Sequence, residues 1–248
     1  MKIKKDSFFL NKMSILKEST KKYSAYKILP EYGKGTITTF NIIPGLYLTF
    51  NDLVLNNKII NYFPKYITRT QSFLKMEYCL KGNILTSNQE DKVYLGSKGI
   101  SIYYEGTGNV KVMEPYDKYY ESITILGYSN EIMKIFEDIF QIDKRCFVDF
   151  YKFINEGKTV VIKYNSKVKS LLNEIRQAIY NNENEIIRLK AIELLLYEVN
   201  NLKKNERVKV VYYNRSTIDK VINIQSYIMN NLDKKITINN LCEKFNIS

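Results

Sequence analysis

The sequence predicts an α+β chain in which an antiparallel β body, a sandwich or small barrel, carries a helix pair and is followed by a small all-α unit. Three observations predict it. From Gly33 to Tyr128, short stretches alternate apolar and polar residues and are separated by Gly and Pro. After Tyr128 the apolar spacing lengthens to three and four residues. The stretch from Thr217 to Ser248 holds two more amphipathic segments joined by a turn and followed by Asn246.

Residues 1–32 are Lys-rich with weak helical periodicity, and they read as a basic, loosely docked arm ending near Pro30. Phe40 to Phe50 contains Pro44-Gly45, a turn between two strand-like pieces. In Phe73 to Leu80, Leu74, Met76, Tyr78 and Leu80 share one face, with Lys75 and Glu77 on the other. Lys81-Gly82-Asn83 then turns the chain into Ile84-Leu85-Thr86. Further strands are expected at Lys92 to Leu95, Ile100 to Tyr104, Val110 to Met113 and Ile123 to Leu126.

Ser129 is placed to cap a helix running to about Phe140, with Glu131 in its first turn. Val168, Leu171, Leu172, Ile175, Ile179 and Tyr180 form one helical stripe. The next helix, about Glu185 to Leu202, is apolar on two arcs. Ile187, Ala191, Leu194 and Leu195 occupy one; Leu189, Ile192, Leu196 and Val199 occupy the other. Two arcs call for two partners, its own sheet and a second protomer, or for burial of both inside one monomer. Residues 33–202 therefore read as one body and 203–216 as a basic linker to the tail.

Composition narrows the chemistry. With 45% hydrophobic and 13% aromatic residues, the chain has the makings of a packed core rather than of disorder. The apolar runs are too short and too interrupted to span a bilayer, and no secretory signal is read at the start; a cytoplasmic location is expected. Cys79, Cys146 and Cys242 have no paired spacing, so neither disulfide nor zinc is expected. The chain has 0 His, which removes His-dependent nucleophile systems and the usual imidazole metal sites, so no metal, no cofactor and no enzymatic activity are expected. Gly33-Lys34-Gly35-Thr36 lacks the spacing of a phosphate loop.

The net charge of +12 lies at the ends. Residues 1–30 carry eight Lys against two acidic groups, and residues 203–248 carry nine Lys or Arg against four. The centre is close to neutral, a distribution that fits a tail touching a polyanion.

The tail, residues 217–248, carries the functional signal. Thr217 is placed to cap a helix bearing Ile218, Val221, Ile222, Ile228 and Leu232, and Asp233-Lys234-Lys235 breaks it. Thr237 caps a second helix, Ile238 to Phe245, whose apolar residues are Ile238, Leu241, Cys242 and Phe245. Asn246 suits a tight left-handed turn, and Ser248 would cap a following helix. This is the front half of a helix-turn-helix. Ile224 to Asn231, then Ile236-Thr237-Ile238, Leu241-Cys242, Phe245 and Ile247-Ser248, resembles the opening of the AraC-type DNA-binding domain. Ile238 stands where that family usually has Leu, and Cys242 where it has a small Ala. Upstream, Lys190 to Leu195, Cys79-Leu80-Lys81-Gly82 and Pro44-Gly45 are similar to sensor-domain elements of one AraC-type subgroup.

The resemblance implies a cupin-like β-barrel sensor binding a small-molecule effector, a homodimer formed through the helix pair, and promoter DNA as partner. The dimerisation candidates are Leu171, Ile175, Ile187, Ala191, Leu194 and Leu195. The effector-pocket candidates are Tyr47, Glu77, Tyr78 and Tyr103, set against the alternative that these side chains simply fill core and surface. The helix-turn-helix core is expected at Ile228, Ile238, Leu241, Cys242 and Phe245, and contacts to the DNA backbone at Lys234, Lys235, Thr237, Lys244 and Ser248. The family's first recognition helix would begin at about Ser248, so base reading is expected only of a protein that continues past it. Two other readings compete with the regulator: a non-DNA-binding dimerising partner of intact regulators, and a β-barrel enzyme.

Overall fold

The computed structural model describes residues 13–56, 59–61, 73–87, 92–105, 111–115, 118–143, 145–154, 160–204 and 215–247. Residues 14–28, read as part of a loosely docked arm with weak helical periodicity, form two strands, β1 (Ser14–Ser19) and β2 (Tyr23–Ile28). Their lysines mask a two-residue rhythm: Ser24, Tyr26 and Ile28 are buried while their neighbours are not. Thr20 closes the hairpin, its hydroxyl accepting from the amides of Lys22 and Tyr23.

The chain continues through β3 (Gly33–Ile43), β4 (Leu46–Leu55), β5 (Ile59–Asn61), β6 (Phe73–Lys81), β7 (Ile84–Ser87), β8 (Lys92–Leu95), β9 (Gly99–Glu105), β10 (Lys111–Pro115) and β11 (Tyr119–Tyr128). Pro44-Gly45 joins β3 to β4 as its sequence suggests. Gly45 has φ +77, and a Cβ there would meet the Glu131 carboxylate at 2.4 Å, so only glycine fits without displacement.

All pairings are antiparallel. One sheet has eight strands in the order β1-β2-β3-β4-β11-β6-β9-β12, where β12 is Val160–Lys163; the other has four, in the order β5-β10-β7-β8. The expected barrel is therefore corrected: the large sheet is open, ending in β1 and β12. The physical reason is the helical layer. Helices α1 (Ser129–Asp138), α2 (Arg145–Ile154), α3 (Ser166–Tyr180) and α4 (Asn184–Lys204) bury their apolar faces with one face of this sheet. That face is thus already covered without closure.

Two cores result. Leu46, Leu48, Leu74, Met76, Tyr78, Ile100, Ile102, Ile123 and Ile125 meet Phe136, Phe147, Phe150, Leu171, Ile175, Leu194 and Leu195 under the helices. On the opposite face Tyr26, Ile28, Ile37, Leu53, Leu55, Cys79 and Tyr120 meet Ile84 and Leu95 of the small sheet. Each fully buried aliphatic side chain contributes about 1.5–3 kcal/mol.

The helix boundaries refine the sequence reading. Ser129 is not the cap of α1: Tyr128 takes that place, and the Ser129 hydroxyl is buried without a hydrogen-bond partner. Helix α2 and strands β5 and β12 were not foreseen. Asn165 caps α3, its side chain accepting from the Val168 amide at 3.0 Å. Helix α5 (Arg215–Met229) starts two residues before Thr217, which therefore lies inside it rather than capping it. Helix α6 spans Ile238–Phe245 as expected.

Candidate functional site

The large sheet has a polar side. Because side chains alternate along β6, Lys75, Glu77 and Cys79 lie on the face opposite Leu74, Met76 and Tyr78. Lys75 and Glu77 are nonetheless buried, 9% and 4% exposed, rather than solvent-facing. Lys75 Nζ meets Glu77 Oε2 at 2.9 Å, and the Tyr120 hydroxyl donates to Glu77 Oε1 at 2.9 Å. The Tyr120 phenol is pushed well up, by burial first and then by the charge of Glu77.

Strand register extends this patch sideways. Glu77 pairs with Ser101 of β9 and Thr124 of β11, Thr124 with Thr49 of β4, and Thr49 with Thr39 of β3. Ser101 and Thr124 are buried, and the Thr39 and Thr49 hydroxyls lie 3.1 Å apart. Two residues along the same face, Asn51 donates to the Ser122 hydroxyl at 2.9 Å. A buried ion pair returns little net stability over an apolar replacement. What it supplies is a fixed donor and acceptor beside a patch of hydroxyls and an amide, on a face whose other part is apolar, an arrangement that orients a polar ligand.

The four pocket candidates separate on this frame. Glu77 lies at the centre of the polar face. Tyr47 is half-buried on β4, paired with Leu126 and Asn41, its ring edge-on to Tyr128 at 6.5 Å. The backbone of Tyr103 pairs with Lys75, and its side chain lies outside the described residues. Tyr78 is removed from the set: as the neighbour of Glu77 it points the other way and is fully buried under the helices. Sequence reasoning missed Lys75, Ser101, Tyr120 and Thr124 as members of the patch. The available signal was the two-residue alternation of β6, which needed the knowledge that both faces are covered.

A second polar cluster ties α3 to the sheet. Glu121 of β11, with its side chain fully buried, is held by Arg176, whose Nε makes an ion pair and whose Nη2 donates at 3.2 Å. Lys81 Nζ stands 3.4 Å away, and the Tyr119 hydroxyl donates to the same carboxylate at 3.1 Å.

The dimerisation candidates are corrected. Leu171, Ile175, Ile187, Ala191, Leu194 and Leu195 are all 0% exposed within one chain. They belong to the monomer core because the α4 arc they define lies against the sheet and α3. The outer side of α4 presents Ile186 at 42% and Leu189 at 64% exposure, and a shallow depression lined by Glu193, Leu196, Tyr197, Asn200 and Asn201.

The tail forms a tight helical pair. The Thr237 hydroxyl accepts from the Asn240 amide at 3.2 Å, and Asn240 Oδ1 accepts from the Thr237 amide at 3.3 Å, a reciprocal cap. At the other end Asn246 adopts φ 48 and ψ 59, with the amides of Asn246 and Ile247 both bonded to the Cys242 carbonyl. Phe245 packs edge-on to Tyr227 of α5 at 5.7 Å, and Lys244 Nζ sits 4.3 Å over the Tyr227 ring. Asn231 bonds the Tyr227 carbonyl and receives Lys234 Nζ at 2.8 Å.

Ile228, Leu241, Cys242 and Phe245 are half-buried, as the helix-pair seam requires. Ile238 is 78% exposed and is not part of that seam. Lys234, Lys235 and Lys244 are exposed. The amide and hydroxyl of Thr237 are engaged within the cap, so this residue has no free donor for a phosphate. Ser248 lies outside the described residues.

No family model and no curated protein matches the chain. Solved structures do. The AraC-like transcriptional activator CuxR is similar over 95% of this chain and 76% of its own, at 12% identity and a TM-score of 0.45. Unsaturated fatty acid-bound ToxT from Vibrio cholerae is similar over 83% of this chain and 70% of its own, at 10% identity and a TM-score of 0.41. An HTH_3 family transcriptional regulator from Vibrio cholerae is similar over 41% of this chain and 55% of its own, at 12% identity and a TM-score of 0.32.

Proposed function

We propose that this chain is a transcription regulator of the AraC type, with a ligand-sensing, dimerising body of two sheets and a tail that holds DNA. The observation that carries the reading is the geometry of residues 237–247: a reciprocally capped short helix, pinned to α5 through Tyr227 and Phe245, ending in a left-handed Asn246. A helix pair of this build orients whatever follows it, which is the task of the positioning helix in a helix-turn-helix. Lys234, Lys235 and Lys244 flank it and supply phosphate contacts. Promoter DNA is the partner, held first through its phosphates.

The effector site is assigned to the polar face around Glu77, Lys75, Thr124 and Ser101, with Tyr47 at its margin. A small molecule bound there would exchange hydrogen bonds with the internal ion pair. The homodimer is assigned to the outer side of α4, at Ile186 and Leu189, in place of the buried arc.

The test is anisotropy of a labelled random-sequence DNA duplex titrated with the chain at rising salt. Binding at low salt is expected, with affinity falling as salt rises. The triple variant Lys234→Gln, Lys235→Gln, Lys244→Gln should bind at least roughly ten-fold more weakly and with a shallower salt slope. Equal binding by the triple variant, or none by the parent chain at about 50 mM salt, defeats the reading.

A further inference from the structure

Glu198 is a carboxylic acid at a core position of a helix. It sits on the buried face of α4, seven residues after Ala191 and beside Leu194, Leu195 and Val199, all 0% exposed, and is itself 1% exposed. Its Oε1 has no hydrogen-bond partner. The Tyr78 hydroxyl, projecting from the middle of β6 into the same core, is fully buried and likewise has none. The two are near enough for the charge of Glu198 to push the Tyr78 phenol further up, after burial itself.

Among the described residues, no cation is placed against Glu198 by the elements packed on α4. On α3, Arg176 is committed to Glu121, and Glu174 turns outward to Lys190. From α2 comes the Tyr151 phenol, buried in the same core, and from β3 come Phe40 and Ile42. A carboxyl enclosed in this way is stable only as the neutral acid. Burial accordingly raises it from the ordinary carboxylate range to about 7.

We infer that Glu198 is a proton-operated latch: protonated, it lets α4 stay packed on the core, and ionised, it drives the C-terminal half of α4 away from it. Proton concentration thereby becomes an input separate from any ligand on the polar face. Helix α4 ends at Lys204 and α5 begins at Arg215, so displacement at Glu198 acts on the segment that connects the body to the helical tail.

Two measurements on the intact chain test the latch, and neither involves DNA, so its failure is separable from failure of the regulator reading. The first is a ¹³C NMR titration of the Glu198 carboxyl, expected to turn near neutrality. The second is amide hydrogen exchange of α4 at pH 6 and pH 8, normalised to intrinsic rates. Residues 195–204 are expected to exchange at least ten-fold faster at the higher pH, and Glu198→Gln to abolish the increase. Tyr78→Phe, which removes a buried hydroxyl near the carboxyl, should move the titration upward. A carboxyl that titrates in the ordinary carboxylate range overturns the inference. So does normalised exchange that is the same at both pH values, or an increase that persists in Glu198→Gln.

Discussion

The molecule contains two helix pairs with opposite supports. In α3 and α4, Val168, Leu171, Leu172, Ile175, Ala178, Ile187, Ala191, Leu194, Leu195 and Val199 are buried against the sheet and each other. In α6 no residue is buried, and Val221, Met229 and Leu232 in and beyond α5 are 59%, 61% and 70% exposed. The first pair is held by area removed from water. The second is held by local chemistry: the Thr237–Asn240 cap, the Asn231 bonds, the Tyr227–Phe245 contact and Lys244 over a ring. Helices of eight and fifteen residues are marginal on their own in water, so each of those contacts matters. One pair is a finished layer of a core; the other is organised but left uncovered.

Substitutions should separate the two pairs sharply. Leu194→Glu puts a carboxylate into the α4 core and should cost more than about 4 kcal/mol, enough to prevent folding. Leu232→Glu in the tail should stay within about 0.5 kcal/mol. Urea denaturation followed by circular dichroism reads both, and a folded Leu194→Glu protein would return that arc to the surface.

Next in size, Arg176→Ala strands the Glu121 carboxylate with only Lys81 and Tyr119. A loss of about 3 kcal/mol is expected, with Arg176→Lys recovering part of it. Comparable in magnitude is the pH response of the α4 core. Glu198 titrates at about 7 in the fold against 4.5 ordinarily, so its folded form holds the proton longer. Its contribution is intact below pH 4.5, is lost progressively as pH rises to about 7, and is absent above that. The loss amounts to roughly 3 kcal/mol. Unfolding midpoints of the parent and Glu198→Gln should therefore diverge across that window and run parallel outside it.

Smaller again, Thr237→Ala removes the cap and should destabilise α6 by about 1 kcal/mol, visible as faster amide exchange across residues 238–245 with β11 unchanged. Last, Leu189→Lys should alter stability by no more than about 0.5 kcal/mol. Its expected signature is in sedimentation velocity, as a lower mass; an unchanged mass would remove the outer side of α4 from the assembly.

The same contrast explains what could be read from the sequence. Local codes were legible: Thr237 and Asn246 announced the two ends of α6, Pro44-Gly45 announced the β3–β4 turn, and the alternation in Phe73 to Leu80 gave β6. What depends on distant parts of the chain was not. Nothing local distinguishes the two apolar arcs of α4; the rest of the fold buries the first and, in the second, buries Val199 while leaving Leu189 exposed. Lys75 and Glu77 look like solvent-facing residues until a second sheet covers them. Lysines hid the rhythm of β1 and β2, and Ser129 resembled a cap although the preceding backbone had already turned. Barrel closure failed for a related reason, since the strand pattern records which residues pair with water but not whether the sheet's ends meet.

The internal ion pair on β6 has one further consequence. Side chains along a strand switch faces at every residue, so a shift of β6 by one position would thrust Lys75 and Glu77 beneath the helices and turn Leu74 and Met76 toward the hydroxyl-lined side. Such a misthreaded chain would have to bury two charges among Phe147, Phe150 and Leu195. The pair thus adds to the cost of a slipped register in this interior strand.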